Sequence, residues 1–193
     1  TKRAVVDADG VIEWVSGSFG SRVSMLYPMS ILRGERARCE FTGITFASAG
    51  QYLDTGSKVI HAAPYTTSTV HSKSISKNGG TALYRGLLRV APNAHGSKAT
   101  VECESLMLDS LSRSDTIPMI EVNTDDIDIG HEAKIGRISD EAIFYLMSRG
   151  ITEDEAKAMI VRGFVEPISK ELPLEYAVEL NKLIELELEG SIG

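Results

Sequence analysis

The sequence predicts a mainly β protein whose sheet coils on itself, followed by a small helical segment. From Val5 to about Ile138, short β-type runs are separated by Gly, Asn, Asp and Ser, without continuous helical periodicity. The residues expected to face inward are small, such as Ala, Ser, Thr and Gly. Small inward residues suit a solenoid, because stacked coils leave little room inside. No sequence period can be counted, so a β-sandwich remains the alternative.

Two β-rich passages carry this prediction. They read "VIEWVSGSFGSRVSMLYP" and "ARCEFTGITFASAGQYLDTGSKVIHAAPYTTSTVHSKSIS", and both alternate small or apolar residues with polar ones. The alternation begins almost at Thr1, which stands where an initiator methionine would be, so we expect a fragment or a processed product. We predict a β domain over residues 1–138 and a helical domain over residues 139–193.

Helix signals begin after the β region. Ser139 can cap a first helix that stops at Gly150. Thr152 and Glu155 have the spacing of a capping box at the start of a second helix. Gly163 is expected to end that helix, because glycine is typical of helix C-termini.

A third helix is predicted from Pro173 to about Glu189, since proline is tolerated in the first helical turn. Its apolar stripe comprises Tyr176, Leu180, Leu183, Ile184 and Leu188. Its other face carries Glu175, Glu179, Glu185 and Glu187. That acidic face is either a solvated surface on a helix that packs on its own domain or part of a module that binds a partner. Composition does not choose between the two.

Charge and composition exclude several classes of protein. The chain has 193 residues, is 42% hydrophobic and 24% charged, and carries a formal net charge of -7. A nucleic-acid binder is disfavoured, because neutralising phosphates requires a basic face. No apolar run is long enough to span a membrane and no signal segment is present, so we expect a soluble protein of the cytoplasm. Two cysteines, Cys39 and Cys103, cannot supply a disulfide framework or the four ligands of an all-cysteine cluster.

Three enzyme signatures are incomplete. "GQYLDTGSK" has the wrong glycine spacing and the wrong order of lysine and hydroxyl for a phosphate-binding loop, so we infer no ATPase activity in this chain. "HEAKI" has Ile135 where a zinc protease needs its second histidine. A carbohydrate-active site remains a distant alternative, with a carboxylate pair drawn from Glu121, Asp126, Asp128 and Glu132.

Metal binding is the better functional interpretation of Cys103. A lone cysteine is more often a buried small hydrophobe than a ligand. Glu102 and Glu104 flank Cys103, and neighbouring carboxylates would raise the pKa of the thiol and make it a weaker nucleophile. A bound metal would instead stabilise the thiolate. His131 and Glu132 are adjacent and therefore point to opposite faces of a strand, unless Gly130 permits a bend. The four histidines, each more typical of a structural role, are His61, His71, His95 and His131.

The chain resembles the C-terminal part of the SufB/SufD family, the scaffold proteins of iron-sulfur cluster assembly, almost from end to end. The resemblance is carried by "IEWVSGSFGSRVSMLYP", "ILRGERARCEF", "DTGSKVIHAAPYTTSTVHSKSISKNGG", "YRGLLRVAPNA" and "HEAKIGRISDEAIFYLMSRGITEDEAKAMIVRGF". It implies a right-handed parallel β-helix followed by helices that bind a SufC-type ABC ATPase. The N-terminal domain common in the family is missing from this chain.

The same resemblance implies the site residues. Cys103 in "ECESLML" matches the cluster-building cysteine of SufB, and Glu132 and His131 in "HEA" match the carboxylate and histidine associated with it. Gly130 replaces an acid that SufB proteins often carry before this motif. The histidine expected of SufD near "VAPNA" would fall on Asn93, and His95, the further candidate ligand, follows two residues later.

The function implied is that of a SufB-like scaffold, not an enzyme. A transient iron-sulfur cluster would be built where the chain meets a SufD-like subunit or a second copy of itself, and would pass to acceptor apoproteins with energy from the partner ATPase. Few thiolates and harder ligands would hold such a cluster loosely, as a donor requires. The alternative is a SufD-like structural subunit of the same complex without its own cluster ligands.

Overall fold

The computed structural model describes residues 2–189, which form twelve strands and three helices. The strands are Arg3–Val6 (β1), Val11–Ser18 (β2), Val23–Leu26 (β3), Met29–Leu32 (β4), Arg38–Ala47 (β5), Tyr52–Thr55 (β6), Lys58–His61 (β7), Thr67–Ser76 (β8), Thr81–Val90 (β9), Ser97–Met107 (β10), Arg113–Val122 (β11) and Ile127–Arg137 (β12). The helices are Asp140–Met147 (α1), Glu153–Glu171 (α2) and Leu174–Glu189 (α3). None of these helices combines the length and apolar character needed to cross a bilayer.

The strands form a parallel β-solenoid of about five turns. One sheet has the order β1-β4-β7-β9-β6-β3, with β11 paired to β9, and the other has the order β12-β10-β8-β5-β2. Every pairing is parallel, so each coil of the chain places its strands beside the corresponding strands of the neighbouring coil. A β-sandwich built from hairpins would be antiparallel. The solenoid prediction is therefore confirmed and the sandwich alternative is wrong.

The coils differ in length, which explains why no sequence period can be counted. Pairing of Arg3 with Met29 gives a coil of 26 residues, and pairing of Met29 with Lys58 gives one of 29. Pairing of Thr81 with Arg113 gives a coil of 32 residues. The strands stay in register while the connections between them absorb the extra residues.

One corner of the solenoid repeats the same left-handed backbone turn in successive coils. Asp9, Arg36, Tyr65 and Gly96 have φ angles of 59°, 58°, 57° and 66°. The backbone N–H of each donates to a carbonyl of the next coil at 2.8–3.2 Å. The hydrogen bonds between stacked corners satisfy backbone groups beyond the strand ends, which have no partner in a sheet. The turn at each corner directs the chain from one sheet to the other.

The solenoid interior is narrow and partly polar, as the small inward residues predict. A central cluster contains both cysteines together with Phe41, Val70 and Tyr84. His61 is also fully buried, and its Nδ1 and Nε2 lie 2.8 Å from Thr66 Oγ1 and 2.9 Å from Ser68 Oγ. The hydroxyl groups satisfy a buried imidazole that would otherwise lose its hydrogen bonds to water.

The helices pack on the outer face of the solenoid. α1 begins at the predicted cap, since the Ser139 side chain accepts a hydrogen bond from the Ala142 N–H, and α2 has the predicted capping box between Thr152 and Glu155. The cluster that joins α2 and α3 to the sheet comprises Ile44, Phe46, Ile75, Val161, Val165, Ile168, Leu180 and Ile184. The prediction that α2 ends at Gly163 is wrong, because the buried stripe continues through Val165 and Ile168 to a helix end at Glu171.

The acidic face of α3 is not uniformly solvated. Glu175, Glu179 and Glu185 are exposed, but Glu187 is fully buried against the solenoid. Ser48 Oγ donates to Glu187 Oε2 at 2.7 Å, and the Lys77 ammonium donates to the Glu187 backbone carbonyl. The prediction that Glu187 lies on a polar outer face is therefore corrected, because the last turns of α3 lie on a coil corner rather than in solvent.

Candidate functional site

The Cys103 thiol lies inside the solenoid. Along β10 the buried residues Ala99, Val101, Cys103 and Ser105 alternate with the more exposed outer ones, so these four face inward. Cys103 is 2% exposed and belongs to the central apolar cluster. Burial raises the pKa of this thiol to about 12, because the thiolate would lose its hydration. The resting group is therefore a neutral thiol at physiological pH.

His131 and Ala133 share the thiol's face of the sheet. Val101 pairs with His131 and Cys103 pairs with Ala133, and partners in a parallel ladder point to the same side. β12 is the last strand of its sheet among the described residues, so its outer edge has no strand partner there. Cys103 lies one strand, about 4.8 Å, inward from β12, and its neighbour on β12 is the small Ala133. We call this end of the solenoid, at β12, its open end.

A small cavity lies between the two sheets beside Val101 and His131, and its lining does not include Cys103. Its volume is about 20 Å³, and its lining includes Ser57, Tyr84, Val101 and His131. Tyr84 Oη and Ser57 Oγ are hydrogen-bonded at 3.0 Å. A space of this size holds about one water molecule. It can hold neither an iron ion with its ligand shell nor a cluster without opening.

Glu132 lies on the opposite, outer face of the sheet. It pairs with Glu102, which lies 3.2 Å from His71 Nδ1, and Lys134 Nζ lies 3.0 Å from Glu132 Oε1. β12 runs unbroken from Ile127 to Arg137, so no bend at Gly130 turns the carboxylate inward. The expectation that adjacent His131 and Glu132 point to opposite faces is confirmed, and of these two residues His131 is the one that shares the thiol's face.

His95 is not close to Cys103. It lies in the turn before β10 and not on a strand, and its ring packs edge-on against Tyr65 with centroids 5.2 Å apart. Its Nδ1 is 4.0 Å from Asp126 Oδ2. Since β10 begins at Ser97, about six residues of strand, roughly 20 Å, separate the turn from the thiol. The described residues contain no group of three or more histidine, cysteine or carboxylate side chains placed to hold a metal ion.

The carboxylates of the hydrolase alternative are also apart. Glu121 lies on β11 in one sheet and pairs with Arg89 at 3.0 Å, whereas Asp128 and Glu132 lie on β12 in the other sheet. Asp128 and Glu132 share one face of β12 but are four residues, about 13 Å, apart along the strand. The acid pair of a glycosidase is about 5–9.5 Å apart. This arrangement gives the carbohydrate-active interpretation no support.

Comparison with known proteins decides the family. Residues 1–164 match the family described as SUF system FeS cluster assembly, SufBD core domain. The chain belongs to the SufBD family. An iron-sulfur cluster assembly SufBD family protein of Staphylococcus epidermidis is 54% identical over 193 residues, all of this chain and 42% of that protein. One from Mycobacterium tuberculosis is 52% identical over the same length, which is 23% of that protein.

The chain thus spans less than half the length of these SufBD relatives. The inward thiol of Cys103 and the imidazole of His131 are the part of the predicted ligand set that lies on one face of the sheet. One sulfur and one nitrogen donor leave further ligands to be supplied from elsewhere. The roles of Cys103, His131, Glu132 and His95 as ligands stay predictions.

Sequence reasoning missed Tyr84 and Ser57. Both are buried and line the cavity beside His131, Tyr84 from the opposite sheet and Ser57 from the loop before β7. The sequence carried one signal, the glycine two residues after the tyrosine: a Cβ at Gly86 would lie 2.9 Å from Tyr84 Cε1 and 3.0 Å from its Oη. Gly86 therefore leaves the room that the phenol ring occupies.

Proposed function

We propose that this chain is a SufB-like scaffold subunit of the SUF assembly complex, on which a nascent cluster is built at a subunit interface. The observation that carries the proposal is the position of Cys103, inward-facing and one small residue from the open end of the solenoid. A cytoplasmic location is part of the proposal, and the two unpaired cysteines support it, since reducing compartments keep thiols free. The solenoid is expected to be right-handed, as parallel crossovers almost always are.

An interface is needed because the thiol is closed off within one chain. The cavity holds about one water and the thiol is protonated, so loading requires the last coil to open or to be completed by another subunit. That coil exposes an apolar surface at two strand edges that have no partner strand within residues 2–189; it comprises Ile117, Met119, Ile120, Val122 and Ile135. Exposed apolar strands at a sheet edge are typical of association sites. A SufD-like subunit or a second copy seated there would place its donors near Cys103 and Glu132.

The helices are proposed to bind the SufC-type ATPase. α1 exposes three large apolar side chains, Phe144, Tyr145 and Met147, while its Ile143 packs inward. An exposed apolar face on a helix that is anchored on its other side supports a docking role. ATP-driven movement of the partner would then reach the last coil through the cluster that joins the helices to the sheet, and the completed cluster would pass to acceptor apoproteins.

Replacing Cys103 tests the scaffold role. We expect Cys103→Ser to lower the iron and sulfide retained after anaerobic reconstitution of the full-length protein with its ATPase by at least about ten-fold, because the proposed thiolate ligand is lost. Cys39→Ser is the matched control, since Cys39 is equally buried and lies 3.2 Å from Ser30 Oγ. The measurement is the absorbance spectrum with iron and sulfide analysis. Equal cluster content in both variants would contradict the proposal.

A SufD-like structural role is the second candidate. The position of Glu132 on the outer face favours it, because the thiol then lacks its proposed carboxylate partner within this chain. In that case Cys103→Ser should leave both cluster content and ATPase binding unchanged, while a charged substitution at the exposed Phe144 should abolish ATPase binding alone. Cys103→Ser therefore separates the two roles, and the Phe144 variant tests the ATPase docking that both roles share.

A further inference from the structure

We propose that the open end of the solenoid binds a second copy of this chain, through antiparallel pairing of β12 with β12 of that copy and with His131 on the two-fold axis. The inference rests on the proposed function, because it names the partner and the strand register at the interface proposed there. It also gives the second copy a part in the site, since each chain brings one His131 imidazole to the axis.

β12 is an uncovered strand with backbone groups to pair. Among residues 2–189 it pairs only with β10, so the N–H and C=O groups along its other edge have no strand partner there. Every residue from Gly130 to Arg137 is exposed, whereas the inward residues Val101 and Cys103 of neighbouring β10 are buried. A strand that continues the sheet would pair these backbone groups and cover the inward face of β12.

The charges along β12 favour a second copy that runs antiparallel. The strand starts with acidic groups, Asp128 and the preceding Asp125 and Asp126, and ends with basic groups, Lys134 and Arg137. A parallel copy would place like charges together, whereas an antiparallel copy places the acidic start of each strand beside the basic end of the other. Antiparallel pairing of identical strands also has a two-fold axis, which closes the assembly as a dimer.

One register of the two strands matches both faces of β12. In that register His131 lies opposite His131 of the second copy, and the residues on either side pair at equal distances from the axis. Asp128 then lies opposite Lys134 on the outer face, and Ile127 lies opposite Ile135 on the inner face. The axis makes each contact occur twice, so the interface contains two ion pairs and two apolar pairs.

The neighbouring registers bring like charges together. With the axis at Gly130, Asp128 lies opposite Glu132 of the second copy. With the axis at Glu132, the two Glu132 carboxylates face each other. Like charges directly opposite destabilise a strand pair. A shift by half a residue pairs inner positions with outer ones. Charge and facing together therefore select the register centred on His131.

A copy in this position would also cover apolar side chains of the other sheet. Met119 and Ile120 of β11 line the same cavity as His131 and are 54% and 42% exposed. Like β12, β11 has a partner strand on only one edge within the described part of the chain. A copy centred on His131 lies over both sheet edges, and burial of these side chains adds hydrophobic stabilisation to the backbone pairing.

Single cysteine substitutions in the full-length protein test the register. On mild oxidation His131→Cys should link the two copies by a disulfide, because opposite Cα atoms of an antiparallel pair are about 4.5–5.5 Å apart. Gly130→Cys and Glu132→Cys are the matched controls, since in this register each residue is about 8 Å from its own counterpart, too far for a disulfide. We expect at least about ten-fold more cross-linked dimer from His131→Cys than from either control. The measurement is a non-reducing gel, on which wild type shows the contribution of the native cysteines.

Charge reversal tests the same register without a covalent bond. Asp128→Lys and Lys134→Asp should each raise the dissociation constant of the dimer by at least about ten-fold, because each places like charges opposite at two positions. The double variant should regain most of the wild-type affinity, since it restores both ion pairs with the signs exchanged. Analytical ultracentrifugation gives the dissociation constants. A thermal unfolding curve for each variant separates loss of association from loss of the fold.

Wild-type protein that stays monomeric at micromolar concentration overturns the inference. So does stronger cross-linking through Gly130→Cys or Glu132→Cys than through His131→Cys, or a double charge reversal that does not recover affinity. Cluster loss in Cys103→Ser, in a protein that pairs only with a different subunit, keeps the proposed function while the inference fails. Equal cluster content in Cys103→Ser and Cys39→Ser, with cross-linking through His131→Cys intact, supports the dimer and removes the scaffold role.

Discussion

Phe46→Ala is expected to lower the free energy of unfolding by about 3–5 kcal/mol. Phe46 is fully buried on the outer face of β5, beneath the helices. Its ring belongs to the cluster that joins α2 and α3 to the sheet. Removing it leaves a cavity that Ile75 and Val165 cannot fill without shifting the helices. The measurement is a denaturant titration followed by circular dichroism and by the fluorescence of Trp14.

Phe144→Ala is the matched control, because Phe144 is 73% exposed on α1. The same atoms are removed there, and stability should change by no more than about 0.5 kcal/mol. Similar losses in both variants would mean that Phe46 is not covered in solution. That result would contradict the packing of the helices on the solenoid.

Acidification should destabilise the fold through His61. Burial lowers the pKa of His61 from 6.5 to about 4, because no water reaches the imidazolium. Between these two values the unfolded chain binds a proton that the folded chain does not. The stabilising contribution is therefore complete above pH 6.5 and is lost as the pH falls toward 4. The loss amounts to roughly 3 kcal/mol.

His61→Gln isolates this effect. The glutamine amide can still bond Thr66 or Ser68 but does not titrate, so the variant should be less stable at neutral pH and lose the steep dependence between pH 6.5 and 4. His95→Gln, at an exposed histidine, should keep the wild-type profile. Equilibrium unfolding at a series of pH values gives the comparison. Parallel profiles for wild type and His61→Gln would show that His61 is not buried as a neutral group.

Local signals in the sequence were sufficient for several elements. Ser139, Thr152 and Glu155 fix the starts of α1 and α2, because capping depends on residues within one turn. The alternation of small residues predicted a coiled sheet, since strand alternation is also a local property. The separation of His131 from Glu132 followed from the same rule.

Other features depend on what lies across the core. The end of α2 could not be predicted from Gly163, because the buried stripe beyond it is stabilised by Ile44 and Phe46 of a distant strand. The sequence predicts Glu187 to be solvated, but in the structure it is buried and accepts a hydrogen bond from Ser48, which lies far away in the sequence. The environment of Cys103 likewise depends on Tyr84, which lies in the other sheet.

By itself, the sequence determined a coiled β protein with three appended helices, its helix caps, and the placement of His131 and Glu132 on opposite faces of one strand. The tertiary structure alone decided the length of each coil, the burial of the thiol, and the buried cluster that Cys103 shares with Tyr84 of the opposite sheet. The physical reason is the separation along the chain over which each effect acts. Alternation, capping and turn preferences act over a few residues, whereas pKa values and cavities depend on groups that parallel coiling brings together from positions about 30 residues apart.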